Sequence, residues 1–164
     1  MTPPIPATSD VNFYSRGKPY GEFSNFALFP IMYEGKRWPT SEHYYQAMKF
    51  KDKKLQELVR TTEDPGDAAR IGRTRGPVRE DWHKVKERYM WPALVAKYTQ
   101  HKRLKILLLS TGEQNIIEHT ENDSYWGDGG DGSGKNVLGR MLMSLRDQIK
   151  EDDGANPNNY FWRN

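Results

Sequence analysis

Trp38-Pro39-Thr40-Ser41-Glu42-His43-Tyr44-Tyr45-Gln46-Ala47-Met48-Lys49-Phe50 is the stretch in which an extended chain gives way to a helix. The residue before a proline is pushed toward extended geometry, so a strand ends at Trp38. Thr40 or Ser41 then caps a helix, with Glu42 in its first turn, where the helix dipole favours a negative charge. The pattern predicts that this helix runs to about Leu58. Turning by about 100° per residue, it brings Glu42, Gln46 and Lys49 onto one stripe with Tyr45 beside it, while Tyr44, Ala47 and Met48 cover other faces. A carboxylate, an amide and an amine in a row between aromatics suit a ligand. An ordinary polar helix face has the same spacing.

Upstream, the segment Ile31 to Trp38 carries Glu34-Gly35 at its centre, a pair that marks a tight hairpin, and Val11 to Tyr14 reads as a short strand. Downstream, helices are expected over Asp67 to Thr74, over Glu80 to about Gln100 with a kink or restart at Pro92, and over Lys102 to Ser110, closed by Gly112. Asn115 to His119 reads as a short strand. Val137 to about Ile149 is the last helix, with Val137, Leu138, Met141, Leu142 and Leu145 on one face. Helices dominate and strands are few. The class is α+β, a mainly helical single domain with a small sheet and hairpin near the N-terminus. Residues 1–10, with three prolines, read as a flexible arm, 11–150 as the folded unit and 151–164 as a frayed tail.

A chain of 164 residues supports about one core. Only 35% of residues are apolar, but 12% are aromatic and five are Trp, and large rings compensate for few aliphatics. The chain has no Cys, which excludes disulfides, thiolate metal sites and a Cys nucleophile and fits a reducing compartment. No apolar run approaches the roughly 20 residues of a membrane span, and Met-Thr-Pro-Pro-Ile-Pro lacks a leader's apolar stretch, so the expected location is cytoplasmic with no membrane partner. The net charge of +3 is unevenly spread: Lys49 to Lys105 holds 16 basic against 8 acidic residues, and Glu113 to Asp131 holds six acids and no Lys or Arg. That asymmetry fits an anionic ligand beside a carboxylate-rich loop; a solvated surface fits it as well.

Three further segments have the composition of a site. Residues 125–136, Tyr-Trp-Gly-Asp-Gly-Gly-Asp-Gly-Ser-Gly-Lys-Asn, hold five glycines that let backbone N–H groups approach an anion ahead of a helix N-terminus. A dinucleotide fingerprint or a P-loop drawn through them fails, because no strand precedes either and Asn136 stands where a P-loop has Ser or Thr. The second segment, Phe13 to Lys18 with Gly21 to Phe26, alternates aromatics with small polar groups and the bases Arg16 and Lys18; it suits stacking on a base, and Phe23 and Phe26 suit a core equally. The third, Arg70 to Arg79, holds four arginines that could grip phosphate or simply face solvent. His43, His83, His101 and His119 have no ligand spacing, so neither a metal nor a cofactor is expected.

Taken together, Phe-Ser-Asn-Phe at 23–26, the quoted stretch at 38–50, Ala-Arg-Ile-Gly-Arg at 69–73, and Asn-Asp-Ser-Tyr-Trp-Gly-Asp-Gly with Gly-Lys-Asn-Val-Leu-Gly at 122–139 resemble the NADAR family and, within it, its YbiA-like N-glycosidases. The resemblance covers about residues 12–149. It implies hydrolysis of the bond between ribose C1 and a base nitrogen. The substrate it implies is ADP-ribosylated guanine in nucleic acid or nucleotides, or a phosphoribosylamino-pyrimidine intermediate of riboflavin synthesis. Partners are then an ADP-ribose- or phosphoribose-containing molecule, including ADP-ribosylated DNA or RNA. A module that binds ADP-ribose or nucleic acid without reacting is the rival from another class.

For such a reaction Glu42 is the first carboxylate, with Asp128 or Asp123 as a second near the leaving base. Lys49 either binds phosphate or donates a proton as a cation, or attacks C1 as a neutral amine and forms a Schiff base after ring opening. Trp126 is expected to stack on the ligand, the backbone at Gly127 to meet its anion, and Asn25 and Gln46 to hold ribose hydroxyls. Arg16, Arg70 and Arg73 are the phosphate candidates. Lys18, Ser24, Phe26, Tyr45 and Asn136 complete the expected ligand-binding set.

Overall fold

The computed structural model describes residues 9–163, so most of the expected N-terminal arm lies outside the described residues. The chain forms β1 (Val11–Phe13), a 3₁₀ turn (Gly21–Phe23), β2 (Ile31–Tyr33), β3 (Lys36–Trp38), α1 (Ser41–Ala47), α2 (Lys53–Thr61), α3 (Pro65–Thr74), α4 (Trp82–Gln100), α5 (Lys102–Ser110), β4 (Ile116–Glu118), α6 (Val137–Asp152) and a last 3₁₀ turn (Pro157–Asn159). The α+β expectation holds. β2 and β3 make the expected hairpin, with Tyr33 opposite Lys36, and Glu34 and Gly35 take φ of 50° and 78°, the left-handed pair that a two-residue turn between twisted strands requires. β1 pairs in parallel with β4, Val11 opposite Ile116, which ties the start of the domain to the loop that follows β4.

Four expectations are corrected. The helix starting at Ser41 stops at Ala47, and a separate helix runs from Lys53 to Thr61. Asp52 starts that second helix by accepting from the Lys54 amide at 2.7 Å, and Gln56 Nε2 donates to the carbonyl of buried Phe50 at 2.7 Å, so the chain turns where one continuous helix was expected. α3 begins at Pro65, because Asp64 caps it and Pro is pre-shaped for a first helical position. α4 runs through Pro92 without the restart that was one of the two expected outcomes. The segment after Glu151 docks instead of fraying: Trp91 Nε1 donates to the Tyr160 carbonyl at 3.2 Å, and Trp162 stacks on Trp91 with ring centres 5.8 Å apart.

α4 stands between two cores. Leu94 and Tyr98 pack with Leu104, Leu108, Ile116, Leu138 and Met141 on one side, while Ala93 and Ala96 meet Ile31, Tyr44, Ala47 and Phe50 on the other. From Met90 to Tyr98 the helix is buried on nearly every side, as a helix in the middle of a domain must be, while its first half carries exposed His83, Lys84 and Arg88. The small Ala93 and Ala96 let α1 sit close to α4, which sets one wall of the cleft described next. No helix among the described residues is long and apolar enough to cross a membrane.

Candidate active site

A cleft of about 410 Å³ lies between α1, the loop after the first 3₁₀ turn, α4 and the end of β4 with the loop beyond it. α1 contributes Glu42, Tyr45 and Gln46, and the turn after it contributes Lys49. The expected stripe therefore survives the helix break, because the Met48, Lys49 and Phe50 amides still bond back to Tyr44, Gln46 and Ala47.

Capping explains how α1 points into this cleft. Thr40 Oγ1 accepts from the His43 amide, and the His43 ring bridges Thr40 Oγ1 and the Thr62 carbonyl, which makes His43 a buried strut. The Glu42 amide, one of the free donors of a helix start, donates to the Asn25 carbonyl at 3.2 Å, and Ser41 Oγ donates to Asn25 Oδ1 at 2.8 Å. Asn25 thus seats the N-terminus of α1. Behind it, fully buried Lys97 donates to the carbonyls of Glu22 and Ser24 at 2.7 and 2.9 Å, and burial lowers its pKa to about 7. A neutral amine still has the two N–H groups those carbonyls need.

Glu42 is 7% exposed, and burial pushes its carboxyl above the ordinary range. Gln46 Nε2, 2.6 Å from Glu42 Oε1, and the charges of Lys49 and Arg73 work against that rise, while Asp123 adds to it. Burial lowers the Lys49 amine below the usual lysine range, helped by the positive charges of Arg73 and Lys86 and opposed by Glu42. Across the cleft stand Tyr125 and Trp126, with Trp126 Nε1 donating to Tyr45 Oη at 3.2 Å. Asp123 Oδ1 accepts from the Tyr125 and Trp126 amides at 2.8 Å each, so it shapes the turn that presents both rings.

Of the expected residues, Ser24, Asn25, Phe26, Glu42, Tyr45, Gln46, Lys49, Asp123 and Trp126 line the cleft. Arg73 is exposed beside it, near enough for its charge to act on Glu42 and Lys49. Arg16, Lys18 and Arg70 are exposed and do not line it; Arg70 pairs with Asp67 at 3.2 Å.

Asp128, Gly127 and Asn136 do not line it either and instead build the loop behind it. Asp128 accepts from the His119 ring and from the Thr120 and Gly130 amides. Burial alone would raise its carboxyl, but these donors hold it below its ordinary value. At Gly127 a Cβ would meet the Asp123 and Glu118 carbonyls at 2.8 Å, so that glycine serves close packing. Asn136, at φ 50°, donates from Nδ2 to the Ile116 carbonyl and accepts from the Glu118 amide, acting as a strand partner for β4. The Val137 and Leu138 amides at the start of α6 are taken by the Tyr125 and Trp126 carbonyls, so they are not open to an anion.

The residues missed in sequence are Tyr14, Lys86, Met90, Glu118, Asn122 and Tyr125. Glu118 matters most. It ends β4, and burial, then the charges of Asp123, Glu42 and Asp128, raise its pKa to about 8. Its signal was an acid closing an otherwise apolar strand, and nothing local told that acid apart from an exposed strand end. Among the described residues, no cluster of three or more His, Asp and Glu could hold a metal ion.

The NADAR domain model matches residues 12–150. The chain is 56% identical over 140 residues to N-glycosidase YbiA of Escherichia coli, covering 85% of this chain and 88% of that one. It is 41% identical over 142 residues to a riboflavin biosynthesis protein of Vibrio vulnificus, covering 86% of this chain and 39% of the longer relative. The solved NMR structure of the Escherichia coli protein YbiA superposes with a TM-score of 0.83 at 51% identity, over 93% of this chain and 91% of that one.

Proposed function

Since the chain belongs to the NADAR domain family, it is an enzyme of the N-glycosidase class, and we propose that it hydrolyses the bond between ribose C1 and a base nitrogen in the Glu42–Lys49 cleft. The observation that carries this reading is the row of Glu42, Gln46 and Lys49 along one wall, desolvated and faced by Tyr125 and Trp126. Breaking a C1–N bond builds positive charge on the ribose, and a carboxylate beside it stabilises that charge and takes a proton from attacking water. The departing base needs a proton. Glu118, protonated at neutral pH, is the donor in this scheme.

Lys49 has two roles open to it. As a cation it holds the phosphate. As a neutral amine its lone pair bonds to C1 while the C1–N electrons leave with the protonated base. The two amine protons pass to the Glu42 carboxylate and to the ring oxygen as the ring C–O bond opens, leaving an imine that water hydrolyses. The lowered pKa of Lys49 supports the second role.

The substrate favoured is a phosphoribosylamino-pyrimidine intermediate of riboflavin synthesis. A cleft of about 410 Å³ is near the lower end of the roughly 300–1,000 Å³ of small-molecule sites and suits one phosphoribosyl-base unit. The name of the Vibrio vulnificus relative points the same way. ADP-ribosylated guanine in nucleic acid or nucleotides is the second reading, supported by Arg73, which stays exposed at the cleft where an outer phosphate would run. Either substrate accords with work in the cytoplasm. A non-reacting module is the weakest of the three, because Trp38, Trp82 and Trp91 are buried in the cores and cannot stack on a strand, and a reader needs no desolvated acid–amine pair.

The test is incubation with the pyrimidine intermediate and, separately, with ADP-ribosylated guanine DNA. Release of ribose 5-phosphate supports the favoured substrate, and release of ADP-ribose supports the second. Binding of both without release of either would overturn the glycosidase reading.

A further inference from the structure

The C-terminal segment is fastened to the aromatic wall of the cleft. Glu87, on α4, accepts from Tyr125 Oη at 2.6 Å and from Trp162 Nε1 at 2.9 Å. Trp162 is itself held by its stack on Trp91, and Phe161 just before it exchanges hydrogen bonds with the Gln148 side chain, each 3.0 Å. On the cleft side, the Tyr125 ring has Lys86 Nζ over its face, 3.6 Å from the centroid, and meets Trp126 edge-on at 5.2 Å. Tyr125, Trp126 and Lys86 line the cleft, and Trp162 does not.

We propose that Trp162 is a positioning residue for the glycosidase reaction: acting through Glu87 it fixes Tyr125 and, with it, Lys86, and so sets how tightly a phosphorylated ribosyl substrate is held. The inference rests on the reading of the cleft as an N-glycosidase site. Its physical basis is that one carboxylate serves two donors. With the indole N–H gone, Glu87 has one tether fewer, and the phenol that leans on it is held less firmly. The phenol stays a donor throughout, since burial and the neighbouring Glu87 charge push its pKa up. Lys86 is then the cation that meets the phosphate, in place of the expected arginines Arg16 and Arg70.

Trp162→Phe keeps an aromatic ring against Trp91 and deletes the N–H together with part of the indole. Its KM is expected to rise about three- to tenfold, the range of one typical net hydrogen bond, with kcat changed less than about twofold. Tyr125→Phe is expected to raise KM alone, and the double variant to be no worse than Tyr125→Phe, because groups acting in one chain are not additive. A merely structural role would instead lower Tm and leave KM where it was. An unchanged KM in Trp162→Phe, or additive effects in the double variant, overturns the proposal. Backbone amide resonances of residues 123–127 are compared between wild type and Trp162→Phe in the same preparations. Shifts there support the relay, and their absence overturns it. If the wild type hydrolyses neither substrate, it is the glycosidase reading that falls, and the amide shifts still decide whether Trp162 positions Tyr125.

Discussion

Gln46 Nε2 reaches Glu42 Oε1 at 2.6 Å, one turn along α1, so the amide clasps the carboxylate while its own oxygen is buried without a hydrogen-bond partner. The side chain at 42 is thereby held in one position above the cleft, and its chemistry can be separated from its shape. Glu42→Gln preserves volume and removes the charge. kcat is expected to fall by at least about 10²-fold, the scale of one acid–base group, with an unchanged circular dichroism spectrum. Folding should not suffer, since a buried carboxyl is replaced by a neutral group. Turnover within tenfold of wild type would take Glu42 out of the mechanism.

Lys49 separates its two roles by substitution and trapping. Lys49→Arg keeps the positive charge and lacks the nucleophilic amine. The lowered pKa of Lys49 favours the neutral amine, so Lys49→Arg is expected to be inactive. Borohydride added during turnover should leave the mass of the reduced ribosyl group on the peptide containing Lys49. An active Lys49→Arg and no adduct would leave the lysine only a charge-binding task.

Much of this site was legible because its residues are close in sequence. Thr40, Glu42, Gln46 and Lys49 lie within one helix and the turn after it, and local spacing was enough to align them. What escaped was non-local. The pairing of β1 with β4 joins residues about a hundred positions apart, and only that pairing carries Glu118 to the cleft. Asp128 and Asn136 had the right chemistry and the wrong direction: in a glycine-rich loop, an acid or amide serves the loop's own amides first, as the bonds to Thr120, Gly130 and Glu118 illustrate. The docking of Tyr160 to Trp162 was masked by the polar run ahead of it. An arginine count likewise could not tell exposed Arg16 and Arg70 from the half-buried lysine at 86 that lines the cleft.

Glu118 gives a pH test with a defined sign. Its folded-state pKa of about 8 lies above the ordinary 4.5. The folded protein therefore binds more protons than the unfolded chain between those values. The stabilisation is full below about 4.5 and is lost as pH rises through about 8. Glu118→Gln is neutral throughout, so its stability relative to wild type should increase from pH 5 to 8, as read by urea midpoints at each pH. If Glu118 donates the proton, wild-type kcat falls above about 8, and the variant is slow and lacks that limb. A wild-type alkaline limb retained in Glu118→Gln would assign the donor elsewhere.

Gly72 tests whether the seating of α3 on α1 controls the site. A Cβ built there would overlap Gln46 Oε1 and come within 3.4 Å of Lys49 Nζ, so the absent side chain leaves the space that Gln46 occupies. In an open helix, Gly→Ala stabilises by about 1 kcal/mol. Here the added methyl must displace Gln46 or part the helices, and overpacking of this kind costs about 1–3 kcal/mol. The two nearly offset, so Gly72→Ala should shift Tm by no more than about 8 °C. Activity has no such compensation. Gln46 is pushed off Glu42 and Lys49 is crowded, and kcat/KM is expected to fall more than about tenfold, since small misplacements of catalytic groups are costly. Thermal melts and steady-state kinetics on one preparation decide it: a variant with wild-type kcat/KM would show that the Gln46 clasp has no part in catalysis.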